Sequence, residues 1–186
     1  TSPACLAYYN HAVCGEALPS ASEGCRRRLA KALEASSLKP VLDRGISVGC
    51  GTGGKEMSLL IDGLVKHFDL WEIAPNIAEA GMSDAKKKGV EDRVTYRIGD
   101  AFADTPLGTY DLVYWDHSLH HMSDVDAALK WSVDVLKPGG FVMINAYYGP
   151  NRLQFTRAEV DLANDFRRRH GLHGRSKYAT PIRYVK

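Results

Sequence analysis

No run of apolar residues in this chain reaches the roughly 18 to 20 positions that a membrane-crossing helix needs. The first residues also lack a basic stretch followed by an apolar one, so neither membrane insertion nor a secretory signal is expected, and the expected setting is cytoplasmic. Cysteine is scarce: Cys5, Cys14, Cys25 and Cys50 are scattered, with no Cys-x-x-Cys pair and no matching histidine spacing. That excludes a disulfide framework and a zinc ribbon as the organising feature. Charge of one sign is scarce too, since a net charge of +2 over 186 residues is too small to mark nucleic acid as the partner. The basic runs Arg26-Arg27-Arg28, Lys86-Lys87-Lys88 and Arg167-Arg168-Arg169 each fall in a helical pattern, where a solvated face accounts for them. An ordinary hydrophobic share of 45% remains, enough for one domain with a full core around a single sheet.

Glycine is where the chain is rich. Residues 46–54 read Ile-Ser-Val-Gly-Cys-Gly-Thr-Gly-Gly, a short apolar run passing into closely spaced glycines and then a helical pattern through Met57, Leu60 and Leu64. A strand, a tight turn and a helix N-terminus in that order suit a nucleotide-like ligand, because missing side chains let the backbone approach it and the first helical amides face it. Cys50 inside this turn reads as a small packing residue rather than a nucleophile.

The rest of the chain alternates. A helix is expected over residues 22–35, with Ser22 as N-cap and Leu29, Ala32 and Leu33 on its apolar face, ended by Ser36, Ser37 and Pro40. Strands are expected at 46–48, 67–72, 94–98, 111–115 and 141–144, and further helices from Gly53 to Leu64, at 76–88 closed by Gly89, and at 124–136. The last of these helices carries Val125, Ala128, Leu129, Val133 and Leu136. Strands separated by helices imply right-handed crossovers and an α/β fold with a doubly wound, mostly parallel sheet. Three segments follow: 1–40 as an N-terminal helical cap or strap with Tyr8, Tyr9, Asn10 and His11, 41–148 as the cofactor-binding core, and 149–186 as an acceptor-side part of the same domain.

Ligands on such sheets sit at the carboxyl ends of the strands. Gly49, Gly51 and Gly54 satisfy G-x-G-x-x-G, and Glu72 follows about 20 residues later, which fits a nicotinamide cofactor. A carboxylate there accepts both hydrogens of a ribose diol, so Glu72 serves other nucleoside cofactors equally well. The later strands separate the cases. Gly99-Asp100-Ala101 follows the third strand, and Leu136-Lys137-Pro138-Gly139-Gly140 follows the last core helix. With the glycine turn and Glu72, these motifs resemble the ordered series of the class I S-adenosylmethionine-dependent methyltransferases over residues 45–147.

That resemblance implies S-adenosylmethionine as cofactor. It implies that Gly49, Cys50, Gly51, Thr52 and Gly53 pass beneath the methionine part and ribose, with Glu72 on the ribose hydroxyls. Asp100 matches the acid that receives the adenine amino group, with Ala101 and Phe102 beside the ring and Ile73 on its other face. Asp116, His117 and Ser118 match the turn against the methionine part and the reacting methyl, and Pro138-Gly139-Gly140 a structural turn into the fifth strand. A hydroxyl acceptor benefits from a base, for which His121, His120 and His117 are candidates in that order. Trp115-Asp116-His117-Ser118 lacks the Asn/Asp-Pro-Pro-aromatic element of many amino-methylating enzymes, which argues against DNA and release-factor substrates. No Asp-Asn pair follows the fifth strand, so no metal is expected at Asp116.

The expected activity is methyl transfer to a small-molecule or glycan-type acceptor, at oxygen. An NAD(P)-dependent oxidoreductase and a non-catalytic S-adenosylmethionine-binding module stay open as alternatives, and oligomeric state is unassigned. Residues 147–156 are expected to cross the cleft, and Thr156-Arg157-Ala158-Glu159 to open a capped helix with Val160, Ala163 and Phe166 inward. Of the two further edge strands the family carries, only residues 179–185 read strand-like, so the sheet is expected to be incomplete at that edge.

Overall fold

A computed structural model of the chain describes residues 3–36, 40–146 and 156–171. Two helices, α1 (Pro3–Cys14) and α2 (Ala21–Ala35), precede the strands β1 (Leu42–Val48), β2 (Val65–Glu72), β3 (Val94–Ile98), β4 (Tyr110–Asp116) and β5 (Leu136–Asn145). Between the strands lie α3 (Gly54–Ile61), α4 (Pro75–Lys87), the single-turn α5 (Ala101–Asp104) and α6 (Val125–Asp134). All pairings are parallel and the strand order is β3-β2-β1-β4-β5. The order reverses between β1 and β4, so the crevice at their carboxyl ends is the fold's natural ligand position.

Alternation along the strands divides the core in two. Leu42, Phe68, Leu70, Leu112 and Tyr114 pack with Leu29 and Leu33 of α2, Met57 and Leu60 of α3 and Ala85 of α4. Ile46, Val48, Trp71, Val113 and Trp115 pack on the opposite face with Ala128 and Trp131 of α6. Successive strand side chains point to opposite faces, so a run such as Leu112-Val113-Tyr114-Trp115 is buried throughout only when helices cover both.

Several expected boundaries and faces are corrected. The first long helix starts at Ala21 with Ser20 as N-cap rather than Ser22. Helix α3 stops at Ile61, because Gly63 takes φ 73° and releases Leu64 toward β2. Helix α6 buries Ala128, Trp131 and Ser132 and leaves Val125 and Val133 exposed; the Trp131 ring outweighs the two valines in setting its rotation. Pro138, Gly139 and Gly140 lie inside β5 instead of before it: Tyr110 pairs with Leu136 and Leu112 with Phe141, so residues 137–140 bulge out of register.

The chain divides into two compact units, Thr1–Tyr147 and Tyr148–Lys186. The described part of the second is α7 (Arg157–Arg169), whose Thr156 and Glu159 form the expected capping box. Val160 is buried as expected, whereas Phe166 is exposed with its ring against His170. The segments 147–155 and 179–185 lie outside the described residues.

Candidate active site

The glycine turn is fixed to the end of β2: the Gly49 and Cys50 amides both donate to the Trp71 carbonyl, at 2.9 and 3.3 Å. Gly49, Gly51 and Gly53 have φ values of 65°, 58° and 68°, the left-handed region that side-chain-bearing residues rarely adopt. Gly53 is also short of space, since a Cβ there would lie 2.7 Å from both Leu70 Cδ1 and the Tyr96 hydroxyl oxygen. That hydroxyl donates to the Thr52 carbonyl at 2.8 Å, bracing the turn from β3. Cys50 packs against the core and burial pushes its thiol well above the ordinary range, which suits packing and not nucleophilic attack.

Glu72 ends β2 and holds the turn from the other side. One of its carboxylate oxygens accepts from the Gly51 amide at 2.9 Å, the other from the Ile73 and Ala74 amides at 2.9 and 3.1 Å. A carboxylate has about four acceptor directions, so three backbone bonds leave capacity for a ligand hydroxyl. Asp100 caps α5, accepting from the Phe102 amide at 2.9 Å, and is itself exposed. Ala101 is buried, and Phe102 packs on Trp131 at 4.9 Å between ring centroids while staying 39% exposed. Ile73 is 82% exposed, so the ends of β2 and β3 present apolar surface beside two acids.

A third acid lies across the crevice. Asp116 at the end of β4 receives Lys55 Nζ at 2.6 Å on one oxygen, and Asn145 Nδ2 at 2.6 Å and the Tyr114 hydroxyl at 3.1 Å on the other. The Tyr9 hydroxyl of α1 donates to Asn145 Oδ1 at 3.0 Å, which ties the N-terminal helix to this cluster. Desolvation, helped by Cys25, pushes the Tyr9 phenol up to about 12. Glu56, one position after Lys55, is fully buried and accepts from the Ser47 hydroxyl at 2.7 Å; burial pushes its carboxyl up to about 7. Sequence reasoning missed Lys55, Glu56 and Tyr114. The signal for Glu56 was present, because it is in helical phase with the buried Leu59 and Leu60.

The three histidines gather after β4. His117 is exposed and has φ 54°, with its amide donating to the Asn145 carbonyl at 2.6 Å. His120 and His121 sit exposed on a short 3₁₀ turn with ring centroids 4.1 Å apart. Between them and His117, Ser118 is 3% exposed and its hydroxyl has no partner among the described residues. A Cβ on Gly49 would lie 3.1 Å from Ser118 Cβ, so the histidine turn abuts the glycine turn. Among the described residues no three His, Cys, Asp or Glu side chains converge to hold a metal.

A parallel sheet with a glycine cradle after β1 and acids after β2 and β3 defines an α/β domain built for a nucleoside cofactor. A family described as "Methyltransferase domain" matches residues 46–144 of the chain, more than half of it. Among curated proteins, a sterol 4-C-methyltransferase of Caenorhabditis elegans is 32% identical over 130 residues, 68% of this chain and 36% of its own length. A 27-O-demethylrifamycin SV methyltransferase of Amycolatopsis mediterranei is 33% identical over 101 residues, 53% of this chain and 36% of its own length. A probable chloroplastic tocopherol O-methyltransferase of Oryza sativa is 31% identical over 100 residues, 53% of this chain and 27% of its own.

Solved structures agree on the fold. The YcgJ protein of Bacillus subtilis superposes with a TM-score of 0.56 at 23% identity, over 75% of this chain and 57% of its own. A methyltransferase of Geobacter sulfurreducens in complex with S-adenosylhomocysteine gives 0.51 at 21%, over 61% and 45%. The [4+2]-cyclase SpnF gives 0.53 at 26%, over 64% and 44%. The chain belongs to the class I S-adenosylmethionine-dependent methyltransferases, and S-adenosylmethionine is its cofactor. It spans less than half the length of the curated relatives it matches. The family match decides between the two cofactors that the glycine spacing left open.

The residues present fit that cofactor. The Gly49 and Gly51 backbone is bare where it turns, the Ser118 hydroxyl, without a partner among the described residues, lies beside it, and Glu72 and Asp100 stand next to the exposed apolar side chains of Ile73 and Phe102, the mix of acids and apolar surface that a nucleoside uses.

Proposed function

We propose that this protein transfers a methyl group from S-adenosylmethionine to a hydroxyl of a small molecule, sugar-like acceptors included. The observation that carries this reading is the cluster of exposed imidazoles, His117, His120 and His121, on the turn that abuts the glycine cradle. Bound S-adenosylmethionine supplies a methyl on a positively charged sulfur that is already a good leaving group. What the chain must add is alignment and removal of the acceptor proton.

In this reading Gly49, Cys50, Gly51, Thr52 and Gly53 support the methionine part and ribose, and Glu72 takes a ribose hydroxyl while keeping its hold on Gly51. Asp100 receives the adenine amino group, with Ile73, Ala101 and Phe102 as the apolar walls. Asp116 and His117 flank the methionine end. His121, His120 and His117 are the candidates for base in that order, all three exposed on or beside the same turn. The curated relatives are named for tocopherol, a sterol and a rifamycin, which supports a small molecule over a macromolecule; the tocopherol and rifamycin enzymes are named for oxygen and support that atom, whereas the sterol enzyme is named for carbon.

The test is release of S-adenosylhomocysteine from S-adenosylmethionine in the presence of a tocopherol, a sterol, a polyketide and a hexose. Turnover with one hydroxylated class, lowered on the order of 10²-fold by His121→Ala with unchanged affinity for S-adenosylhomocysteine, is expected. Full activity in all three single histidine-to-alanine variants would remove the general-base role. The likeness to SpnF favours one second reading, in which the bound cofactor serves a reaction other than methyl transfer. Acceptor conversion without S-adenosylhomocysteine release would point there.

A further inference from the structure

On the α6 side of the sheet, the middle of β1, β2 and β3 is polar. Arg44, His67, Asp69, Thr95 and Arg97 share that face by strand register, at positions where a parallel sheet covered on both sides carries apolar side chains. Asp69 is fully buried, yet its two oxygens are unequally served. Oδ2 accepts from Arg44 Nε and Nη2 at 3.0 and 2.7 Å and from the Tyr110 hydroxyl at 2.6 Å. Oδ1 has no hydrogen-bond partner among the described residues, with Arg97 Nε standing 3.8 Å away. Trp71 Nε1, from the next position along the same face, is a second buried polar atom without a partner among the described residues.

Both arginine side chains are half-exposed above these atoms, and both are held by aromatic rings. Arg44 Cζ lies 5.5 Å from the Tyr110 ring centroid and Arg97 Cζ 5.8 Å from that of Trp71. Stability does not account for the arrangement, because packed apolar side chains in place of a buried ion pair are often neutral or stabilising. The charges do not cancel either. Around His67 the guanidiniums of Arg44, Arg93 and Arg97 face the single carboxylate of Asp69, an excess of two positive charges. Desolvation holds the His67 imidazole below its ordinary range, and the three guanidiniums push it the same way against Asp69, so it stays neutral. A phosphate monoester carries about −1.5 to −2 charges at neutral pH, and its oxygens match the paired donors of a guanidinium.

We propose that this face of β1, β2 and β3 binds the phosphate monoester group of a small molecule, with Arg97 and Arg44 as its forks and the Trp71 indole N–H as a further donor. Arg97 is the principal ligand, since its guanidinium makes no hydrogen bond among the described residues. A movement of about 1 Å brings its Nε to hydrogen-bond length from Asp69 Oδ1, which satisfies that oxygen and leaves both Nη groups for the phosphate. Arg44 keeps Asp69 through Nε and Nη2 and offers Nη1. The inference is independent of the cofactor assignment, because no side chain of the crevice takes part.

The test is a ¹⁵N NMR titration with glucose 6-phosphate at constant ionic strength, with glucose as the neutral comparison, followed at the Trp71 indole N–H and the Arg97 Nε–H. Saturable shifts of both signals with a Kd below about 1 mM are expected for the phosphate alone, together with a rise in the His67 pKa in the bound state. Arg97→Gln is expected to weaken binding about tenfold or more while S-adenosylhomocysteine binds within about twofold of wild type, which shows the fold intact. Arg97→Lys keeps the charge and loses the fork; it carries the same prediction and decides the matter should Arg97→Gln fail to fold. Absence of saturation up to about 10 mM, equal shifts with glucose, undiminished affinity in the variants, or displacement of the phosphate by S-adenosylhomocysteine each overturns the inference.

Discussion

Glu56 is the residue whose chemistry is least ordinary. It is fully buried behind the glycine turn, its side chain accepts from the Ser47 hydroxyl, and burial raises its carboxyl to about 7. Between the unfolded value of 4.5 and about 7 the folded protein keeps a proton that the unfolded chain releases, so stability falls as pH rises through that window. Glu56→Gln keeps the hydrogen-bond acceptor and cannot ionise. Its stability relative to wild type, from urea unfolding, is expected to improve by on the order of 3 kcal/mol between about pH 4.5 and about pH 8. An equal difference at both pH values would mean that Glu56 titrates normally. Residue identities at the strand ends were legible because each acid closes or follows an expected strand: Glu72, Asp100 and Asp116 all stand at the sheet's carboxyl edge. What was illegible is partnership. Nothing in the spacing shows that Glu72 holds three backbone amides, or that Lys55 reaches Asp116 across 61 positions of chain.

Among the elements, the turn from β1 to α3 carries the most constraint. Gly53 combines a left-handed backbone with contact on Leu70 and Tyr96, so Gly53→Ala adds backbone strain to steric overlap. A loss of about 2 to 4 kcal/mol in unfolding free energy is expected, whereas Gly51→Ala, with a similar φ and open space around it, should lose about 1 to 2. Equal losses at the two positions would contradict the packing account. Helix periodicity found every long helix of the core but misjudged rotation in α6, since a count of apolar positions does not weigh Trp131 against Val125 and Val133. The N-terminal helices show the same limit. Asn10 is buried, donating to the Leu18 and Ser20 carbonyls and accepting from the Gly24 amide, which locks α1 to α2 and so presents Tyr9 to Asn145. A polar residue in a tyrosine-rich segment gave no hint of that strut.

On the scale of the molecule, the strand-helix alternation was sufficient to specify a parallel doubly wound sheet, because the central strands β1, β2 and β4 needed two covered faces. The order of the glycine turn, Glu72, Asp100 and the Pro138-Gly139-Gly140 motif specified the family, although the last of these proved to be a bulge within β5. Acceptor identity was not legible, since the motifs that could be read, the glycine turn, Glu72 and Asp100, all belong to the cofactor side of the crevice. The central claim concerns the cofactor, and calorimetric titration with S-adenosylhomocysteine and with NAD tests it most directly. The account predicts saturable one-site binding of S-adenosylhomocysteine, weakened by roughly 1 to 3 kcal/mol in Asp100→Ala, and no binding of NAD. Binding of NAD with no affinity for S-adenosylhomocysteine would contradict it.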